Sequence, residues 1–204
     1  KEQIDELDSI GIPIRINLSI HSTDKEEAKE LAGNENYEIT QIVELAKYIN
    51  SKKNIELLLA PVWLPGLNDK GIGNIVELAK ELKCLIGIQK YEIYKYSRKM
   101  KKAKNITFWK FYKKLEEWEK EHNTQLKLDP KIFKFEKMTR FPKTMDVNQK
   151  VYAEIKAPGW IKGQMIGVAN QRCVTINKCN KPIGSTAKVK IVQNKNNIYL
   201  ANQL

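Results

Sequence analysis

Five residues with useful chemistry stand at or just beyond the ends of apolar runs in the first half of the chain. They are Ser19, His21, Gly66, Asn68 and Gln89. Hydroxyl, imidazole and amide groups donate and accept hydrogen bonds, and a glycine lets a ligand approach the backbone closely. We therefore predict that these residues line a cleft for a polar ligand.

His21 has two interpretations. An imidazole at the end of a buried strand is suited to act as a general base or to orient a ligand by donating a hydrogen bond. No acidic residue stands at a helpful spacing from it, however. A structural histidine with satisfied hydrogen bonds is the alternative.

The runs that precede these residues predict a parallel sheet. Apolar segments at residues 14–20, 55–62 and 85–89 alternate with amphipathic stretches of helical period. Strand, helix and strand in this order indicate βαβ units, and a continuously apolar strand is typical of a sheet buried on both faces. Ligands bind outside the carboxyl ends of such strands, where the five residues stand.

A longer helix is predicted over residues 107–122. Its large apolar residues recur at helical spacing, which favours a core-facing stripe. The stripe comprises Phe108, Phe111, Tyr112, Leu115 and Trp118.

The last 55 residues have a different pattern. From Lys150 onward, apolar and polar residues alternate in about five short runs separated by glycine and asparagine. Period two predicts β-strands, and five short strands favour a small closed barrel because closure removes exposed edges. We therefore predict two domains, an α/β domain over residues 1–144 and a β-barrel over residues 145–204.

The charge of the chain indicates a polyanionic partner. The formal net charge of the 204 residues is +12. From Lys143 to Leu204 there are ten lysine and arginine residues against two acidic ones. Clustered positive charge is typical of nucleic-acid binding, so we predict a polyanionic partner, most often a nucleic acid; a generic basic protein is the alternative.

Candidate RNA-binding residues fall in two regions. The run 95–104 carries six cations, and the barrel mixes cations with a tryptophan; such mixtures contact phosphates and stack on bases. The candidates are Lys99, Lys101 and Lys102 in the run and Lys156, Trp160, Lys162, Arg172, Lys178 and Lys188 in the barrel. A solvated loop and an accessory folding domain are the respective alternatives.

The remaining features of the composition argue against several classes of protein. Three cysteines without a CxxC pair argue against a disulfide framework and against a metal site made by this chain alone. No apolar run approaches the roughly 20 residues that span a bilayer, and no signal peptide is recognisable. We expect a cytoplasmic protein.

Two segments resemble known families. "LSIHSTDKEEAKELAG" from residue 18 and "LLLAPVWLPGLND" from residue 57 resemble the fourth and fifth strands of radical S-adenosylmethionine (SAM) enzymes, particularly those that methylate RNA adenines. The segment from Lys162, "KGQMIGVANQRCVTINK", with the strands after it, is similar to a TRAM domain, the small barrel appended to RNA-modifying enzymes. Together they resemble archaeal radical SAM proteins with a C-terminal TRAM barrel.

The resemblance implies a fold, an activity and cofactor contacts. The fold would be the second half of a parallel β/α barrel followed by the TRAM-like barrel. Ser19 and His21 would lie near the ribose or carboxylate of SAM, Gly66 and Asn68 near its adenine, and Gln89 and Tyr91 beside SAM or substrate. The parent enzyme would cleave SAM reductively at a [4Fe–4S] cluster, and the resulting 5′-deoxyadenosyl radical would abstract hydrogen from the substrate, in our interpretation an RNA such as tRNA.

The sequence departs from the family in one respect that decides what this chain can do alone. The cluster-binding CxxxCxxC motif and the glycine-rich SAM-binding motif are absent from the sequence. We therefore expect the C-terminal part of a longer enzyme, which alone binds no cluster and is inactive. A non-catalytic RNA-binding protein, and a radical SAM enzyme acting on a protein or small metabolite, are the alternatives.

Overall fold

The chain forms two compact units. A computed structural model describes residues 1–94, 99–133 and 138–204. The units comprise residues 1–135 and 136–204, and each encloses its own hydrophobic core. Residues 95–98, which belong to the cationic run of the first unit, lie outside the described residues.

The first unit alternates helices with short strands. Its helices are α1 (Glu2–Ser9), α2 (Lys25–Ala32), α3 (Ile39–Asn50), α4 (Asp69–Leu82) and α5 (Phe108–His122), followed by a 3₁₀ helix (Pro130–Phe133). Its strands are β1 (Ile14–Leu18), β2 (Ile55–Leu59), β3 (Val62–Trp63), β4 (Leu85–Ile86) and β5 (Gln89–Lys90). The alternating pattern of the sequence is thus confirmed as a mixed α/β unit.

The strand pairs described in this unit are parallel. β1, β2 and β4 form a sheet in that order, and β3 pairs with β5. The sheet packs on the helices through apolar residues such as Leu57, Leu59 and Ile86. The parallel arrangement follows from helical crossovers, because a crossover returns the chain to the same end of the sheet.

Two of the predicted strands are each divided in two. The run 55–62 ends as a strand at Leu59 and resumes at Val62, and the run 85–89 is interrupted between Ile86 and Gln89. Pro61 has no N–H to donate to a ladder, which accounts for the first break. The chain here shifts from one parallel pair to the other, and the sequence prediction of continuous strands was wrong at both places.

Helix α5 begins at a capped residue and ends in a left-handed one. The Thr107 side chain accepts a hydrogen bond from the Lys110 N–H at 3.3 Å, and Asn123 has φ of 48°. Phe111, Leu115 and Trp118 are buried in the core of the unit. Phe108 and Tyr112 are exposed, so the predicted core stripe was wrong at these two positions.

The second unit is a closed five-stranded barrel, as the alternation predicted. Its strands are β6 (Lys150–Pro158), β7 (Met165–Ala169), β8 (Arg172–Asn177), β9 (Thr186–Gln193) and β10 (Tyr199–Gln203). The order around the barrel is β10-β8-β7-β6-β9, and an antiparallel β9–β10 pair closes it. Alternate residues such as Ala153, Val174 and Ile191 fill the interior.

Within residues 1–94, 99–133 and 138–204, no helix has both the length and the apolar content to cross a bilayer.

Candidate functional site

The parallel strands bring their carboxyl ends to one edge of the first unit. The hydrogen bonds continue past the strand ends: the Ala60 N–H donates to the Leu18 carbonyl at 2.9 Å, and the Gln89 N–H donates to the Pro61 carbonyl at 2.7 Å. The segments that follow the strands therefore leave from the same edge. This edge is where parallel α/β folds bind ligands.

Asn68 holds this edge together from within. Its side chain is completely buried, its Oδ1 accepts from the Leu64 N–H at 2.8 Å, and its Nδ2 donates to the carbonyls of His21 and Val62, both at 3.0 Å. The amide thus joins the ends of two strands and the turn after them. With both amide hydrogens and the oxygen engaged, this geometry favours a positioning role over direct cofactor contact.

Gly66 lies at the tip of the same turn. It has φ of +81°, a conformation that favours glycine, and its N–H donates to Asp69 Oδ2 at 2.6 Å. The other Asp69 oxygen accepts from Trp63 Nε1 at 3.1 Å. The aspartate therefore fixes the turn, and Gly66 is exposed to solvent.

A backbone hydrogen bond fixes the tautomer of His21. Its Nδ1 accepts from the Val62 N–H at 3.1 Å, which requires that this nitrogen is unprotonated. Burial lowers the pKa of His21 below its ordinary value, because desolvation disfavours the charged ring. The neutral imidazole therefore carries its hydrogen on Nε2 and presents that atom as a donor.

A cleft of about 300 Å³ lies beside His21. Its lining residues come from the ends of β1, β3 and β5, from the chain that follows β5, and from α2. They are His21, Leu31, Val62, Leu64, Gln89, Lys90, Tyr91, Glu92 and Tyr94. A mixed apolar and polar lining at this edge is typical of a small-molecule site, and the volume is at the lower end of the usual range of about 300–1,000 Å³.

One charged pair forms part of the cleft wall. Lys90 Nζ donates to Glu92 Oε1 at 2.7 Å and to Asn105 Oδ1 at 3.2 Å, and only 7% of the lysine side chain is exposed. The lysine is therefore neutralised by its partner. The polar groups left for a ligand come chiefly from His21 and Gln89.

The five predicted cofactor residues are only partly brought together. His21 and Gln89 line the same cleft, and the Asn68 side-chain amide donates a hydrogen bond to the backbone carbonyl of His21. Ser19 and Gly66 are exposed at the same edge but do not line the cleft. Tyr91, which the sequence placed beside Gln89 at a strand end, also lines the cleft. Tyr94 was not predicted as a wall of the cleft, because its contribution depends on how the chain turns after β5.

A wider groove of about 760 Å³ lies between α3 and α4, and Thr23 and Lys25 also line it. Four of its charged residues form ion pairs: Lys47 with Glu44 at 3.1 Å and Lys80 with Glu77 at 3.0 Å. Each pair joins residues three apart within one helix, and such surface pairs are ordinary solvated contacts. We assign no chemistry to this groove.

The predicted RNA-binding residues of the barrel are spread over its surface. Trp160 and Lys162 lie in the β6–β7 loop, and Lys178 follows β8 at the same end, where the Cys179 N–H donates to the Gly163 carbonyl at 3.0 Å. Trp160 is 95% exposed. This end of the barrel therefore combines a fully accessible aromatic ring with cations.

The other three barrel candidates lie elsewhere. Arg172 is at the opposite end, beside the β7–β8 turn, with its guanidinium 5.6 Å from the Phe141 ring. Lys156 pairs with Glu154 at 2.5 Å. Lys188 lies opposite Tyr152 across the β6–β9 pair, with its Nζ 6.0 Å from the centroid of the tyrosine ring. Tyr152 is exposed at an outward position of β6, and the sequence prediction omitted it.

The three cations predicted in the first unit, Lys99, Lys101 and Lys102, are exposed. The chain there is anchored near the cleft, since the Met100 N–H donates to the Tyr91 hydroxyl at 3.2 Å. The described part of the cationic run, from Lys99 onward, therefore contacts the cleft wall at Tyr91.

The cysteines do not fit an iron–sulfur cluster. Cys84 is half-buried, Cys173 is exposed and Cys179 is buried; Cys84 belongs to the first unit and the other two to the barrel. Burial raises the pKa of the Cys84 thiol to about 11, which disfavours the thiolate that a metal requires. Among the described residues, no group of three or more histidine, cysteine, aspartate or glutamate side chains is placed to hold a metal ion.

Comparison with known proteins adds one relative. No protein-family model matches the chain. The chain is 35% identical, over an alignment of 222 positions, to an uncharacterized protein of Methanocaldococcus jannaschii. The alignment covers 97% of this chain and 51% of that protein, so the chain spans about half the length of the curated relative that it matches.

Proposed function

We propose that the chain is the C-terminal part of a radical SAM enzyme that modifies RNA, with tRNA as the first substrate to test. The observation that carries the proposal is the cleft at the carboxyl ends of parallel strands, which both His21 and Gln89 line. The same chain carries a cationic barrel with an exposed tryptophan. A cofactor site and a polyanion-binding unit are the two parts that an RNA-modifying enzyme needs.

His21, Gln89 and Tyr91 are the residues that would hold SAM. The imidazole Nε2–H and the glutamine amide supply donors, the amide oxygen supplies an acceptor, and the apolar wall of Val62 and Leu64 suits an adenine ring. In radical SAM enzymes the bound cofactor supplies a carbon-centred radical that removes a hydrogen atom from the substrate. The part played by this chain is to orient the cofactor and to exclude water from one side.

The cluster that such chemistry requires would be held by residues outside this chain. The three cysteines do not fit it, because Cys179 is buried in the barrel core and burial raises the pKa of the Cys84 thiol to about 11. The length of the relative, about twice the part that this chain matches, is compatible with a further half that carries the cluster ligands.

The barrel is the part that we assign to RNA. Ten cations and two acids between Lys143 and Leu204 favour phosphate contacts, and Trp160 offers a ring on which an unpaired base can stack. A barrel retained only for folding would not need a large apolar ring in full contact with water. Lys162 and Lys178 supply positive charge at the same end as the ring.

Comparison of RNA from two strains tests the proposal. The gene would be deleted in its host, and nucleosides from total tRNA of the parent and deletion strains would be compared by mass spectrometry. We expect one modified nucleoside to disappear and to return when the complete gene is restored. Identical nucleoside profiles, together with a coding region that encodes no CxxxCxxC motif, would favour the non-catalytic alternative.

A further inference from the structure

The first half of α5 exposes three aromatic rings to solvent. Phe108 is 57% exposed, Trp109 68% and Tyr112 49%. We call these three residues the α5 aromatic face. Isolated exposed apolar residues are common, but three adjoining large rings mark an interaction surface.

The α5 aromatic face is not required by the core of the unit. The buried stripe of the helix is Phe111, Leu115 and Trp118, and Phe111 and Trp118 pack on Trp63 with ring centroids 6.1 and 5.1 Å away. At about 100° per residue, Trp109 turns away from that stripe, whereas Phe108 and Tyr112 continue it and are nevertheless largely exposed. Tyr112 contacts the buried Phe111 with ring centroids 5.4 Å apart, but about half of its surface and more than half of the Phe108 and Trp109 surfaces remain in solvent.

Lysines lie beside the rings of the α5 aromatic face, and the sequence around it is rich in cations. Between residues 93 and 115 the sequence has nine lysine and arginine residues and no aspartate or glutamate. Lys113 places its Nζ 5.2 Å from the Trp109 ring centroid, and Lys110 is also exposed on the helix. Rings interleaved with cations suit a ligand that alternates planar groups with anions.

The α5 aromatic face adjoins the strand edge that carries the candidate site. Tyr112 and Gln89 both line a second cleft of about 300 Å³, together with Asn17. Lys90, in the wall of the His21 cleft, lies with its Nζ 5.0 Å from the Phe108 ring. A polymer bound on the α5 aromatic face would therefore extend toward Gln89.

We propose that the α5 aromatic face binds unpaired nucleotides of RNA by stacking, with phosphates held by the lysines around it. The proposal rests on the proposed function insofar as RNA is the ligand, and it adds a second RNA contact in the unit that holds the cleft. Successive bases stack on aromatic side chains with little regard to sequence, while a paired duplex hides the faces of its bases. The site therefore selects single-stranded segments.

Fluorescence anisotropy with labelled RNA oligonucleotides tests this proposal on the chain as given. The probes are a single strand of about 12 nucleotides, long enough to span a typical single-strand site, and a blunt duplex of the same length. We expect Trp109→Ala, and the double variant Phe108→Ala with Tyr112→Ala, to weaken single-strand binding by roughly 5- to 100-fold and to leave duplex binding unchanged. Trp109→Phe keeps a stacking ring and should retain most of the affinity.

Two controls separate the outcomes. Lys120→Ala changes an exposed cation near the far end of the same helix and should have a small effect, and Trp160→Ala measures the barrel contribution independently. If the wild-type chain binds the single strand but the aromatic variants bind it equally well, the α5 site is overturned while RNA binding stands. If the wild-type chain binds no RNA at low salt, both proposals are overturned.

The same variants distinguish a protein contact. Sedimentation velocity would be recorded for the wild-type chain and for Trp109→Ala. We expect the same sedimentation coefficient for both. A change of oligomeric state in the variant, with unchanged RNA affinity, would identify the α5 aromatic face as an interface between copies and overturn the proposal.

Discussion

His21 shows how one side chain acquires a defined chemical role from a residue far along the chain. The Val62 N–H, 41 residues away, donates a hydrogen bond to Nδ1 and so requires that the ring hydrogen is on Nε2. Desolvation keeps the ring neutral by lowering its pKa. The sequence revealed the histidine at a strand end, but it could not reveal the tautomer, because that depends on a contact made only in the folded unit.

Stability should depend on pH through His21. Its folded-state pKa is lowered, so the unfolded chain binds the proton more readily. The contribution of the neutral ring is therefore complete above the unfolded pKa of about 6.5 and is lost as the pH falls below it. We expect the free energy of unfolding to fall more steeply between about pH 7.5 and 5.5 in the wild type than in His21→Gln, measured by urea titration with tryptophan fluorescence. Equal slopes would show that the ring does not titrate differently in the two states.

Asn68 should prove essential for the fold of the site. Asn68→Ala removes one acceptor and two donated hydrogen bonds from buried backbone groups, and we expect a loss of about 2–4 kcal/mol in the free energy of unfolding. The matched control is the exposed Asn36→Ala, with an expected change within about 0.5 kcal/mol. A stable Asn68→Ala protein that merely binds its cofactor weakly would contradict the positioning role and restore the direct contact that the sequence indicated.

At the scale of elements, helix α5 shows where periodicity stops being informative. Apolar spacing correctly located the helix and the buried part of its stripe. It could not show which positions of the helix other elements cover, because that depends on which of their residues reach the helix. Phe108 and Tyr112 satisfy the pattern and yet are exposed.

Two phenylalanines of α5 offer a matched comparison. Phe111 is 4% exposed, and we expect Phe111→Ala to cost about 3–5 kcal/mol because it removes buried apolar surface and leaves a cavity. Phe108→Ala should change the free energy of unfolding by less than about 1 kcal/mol, since the ring already contacts water. Thermal or urea denaturation measures both. A large loss for Phe108→Ala would mean that this ring belongs to the core and would weaken its assignment to a ligand.

The sequence predicted the strands of the barrel more accurately than the parallel strands of the first unit. Alternation between interior and exterior positions predicted all five barrel strands, because one face of every strand is buried. The parallel strands were predicted in place but too long, since an apolar run continues through Pro61 even though the ladder does not. Which cations share an end of the barrel could not be predicted, because this depends on strand register.

At the scale of the whole molecule, the excess of positive charge should appear as salt-dependent RNA binding. For single strands, each phosphate that the protein neutralises adds about 0.7 to the steepness of log affinity against log salt. We expect Lys162→Ala with Lys178→Ala to make the slope shallower by about 1–1.5, because two phosphates are no longer neutralised.

The matched variant for this measurement is Trp160→Ala. It removes a stacking ring without a charge, so we expect weaker binding at every salt concentration with an unchanged slope. Anisotropy titrations of a labelled single-stranded RNA over a series of salt concentrations give both quantities. An unchanged slope in the double lysine variant would place the phosphate contacts elsewhere on the chain.

Equilibrium dialysis of SAM with the longer protein, prepared anaerobically, tests the central claim most directly. Gln89→Ala alters an exposed side chain in the cleft, and we expect the Kd for SAM to rise by roughly 3- to 10-fold because a hydrogen bond to the cofactor is removed. Glu44→Ala, in the groove between α3 and α4, is the control and should leave the Kd unchanged. An unchanged Kd in Gln89→Ala, or a raised Kd in Glu44→Ala alone, would contradict a cofactor site at the converging strand ends.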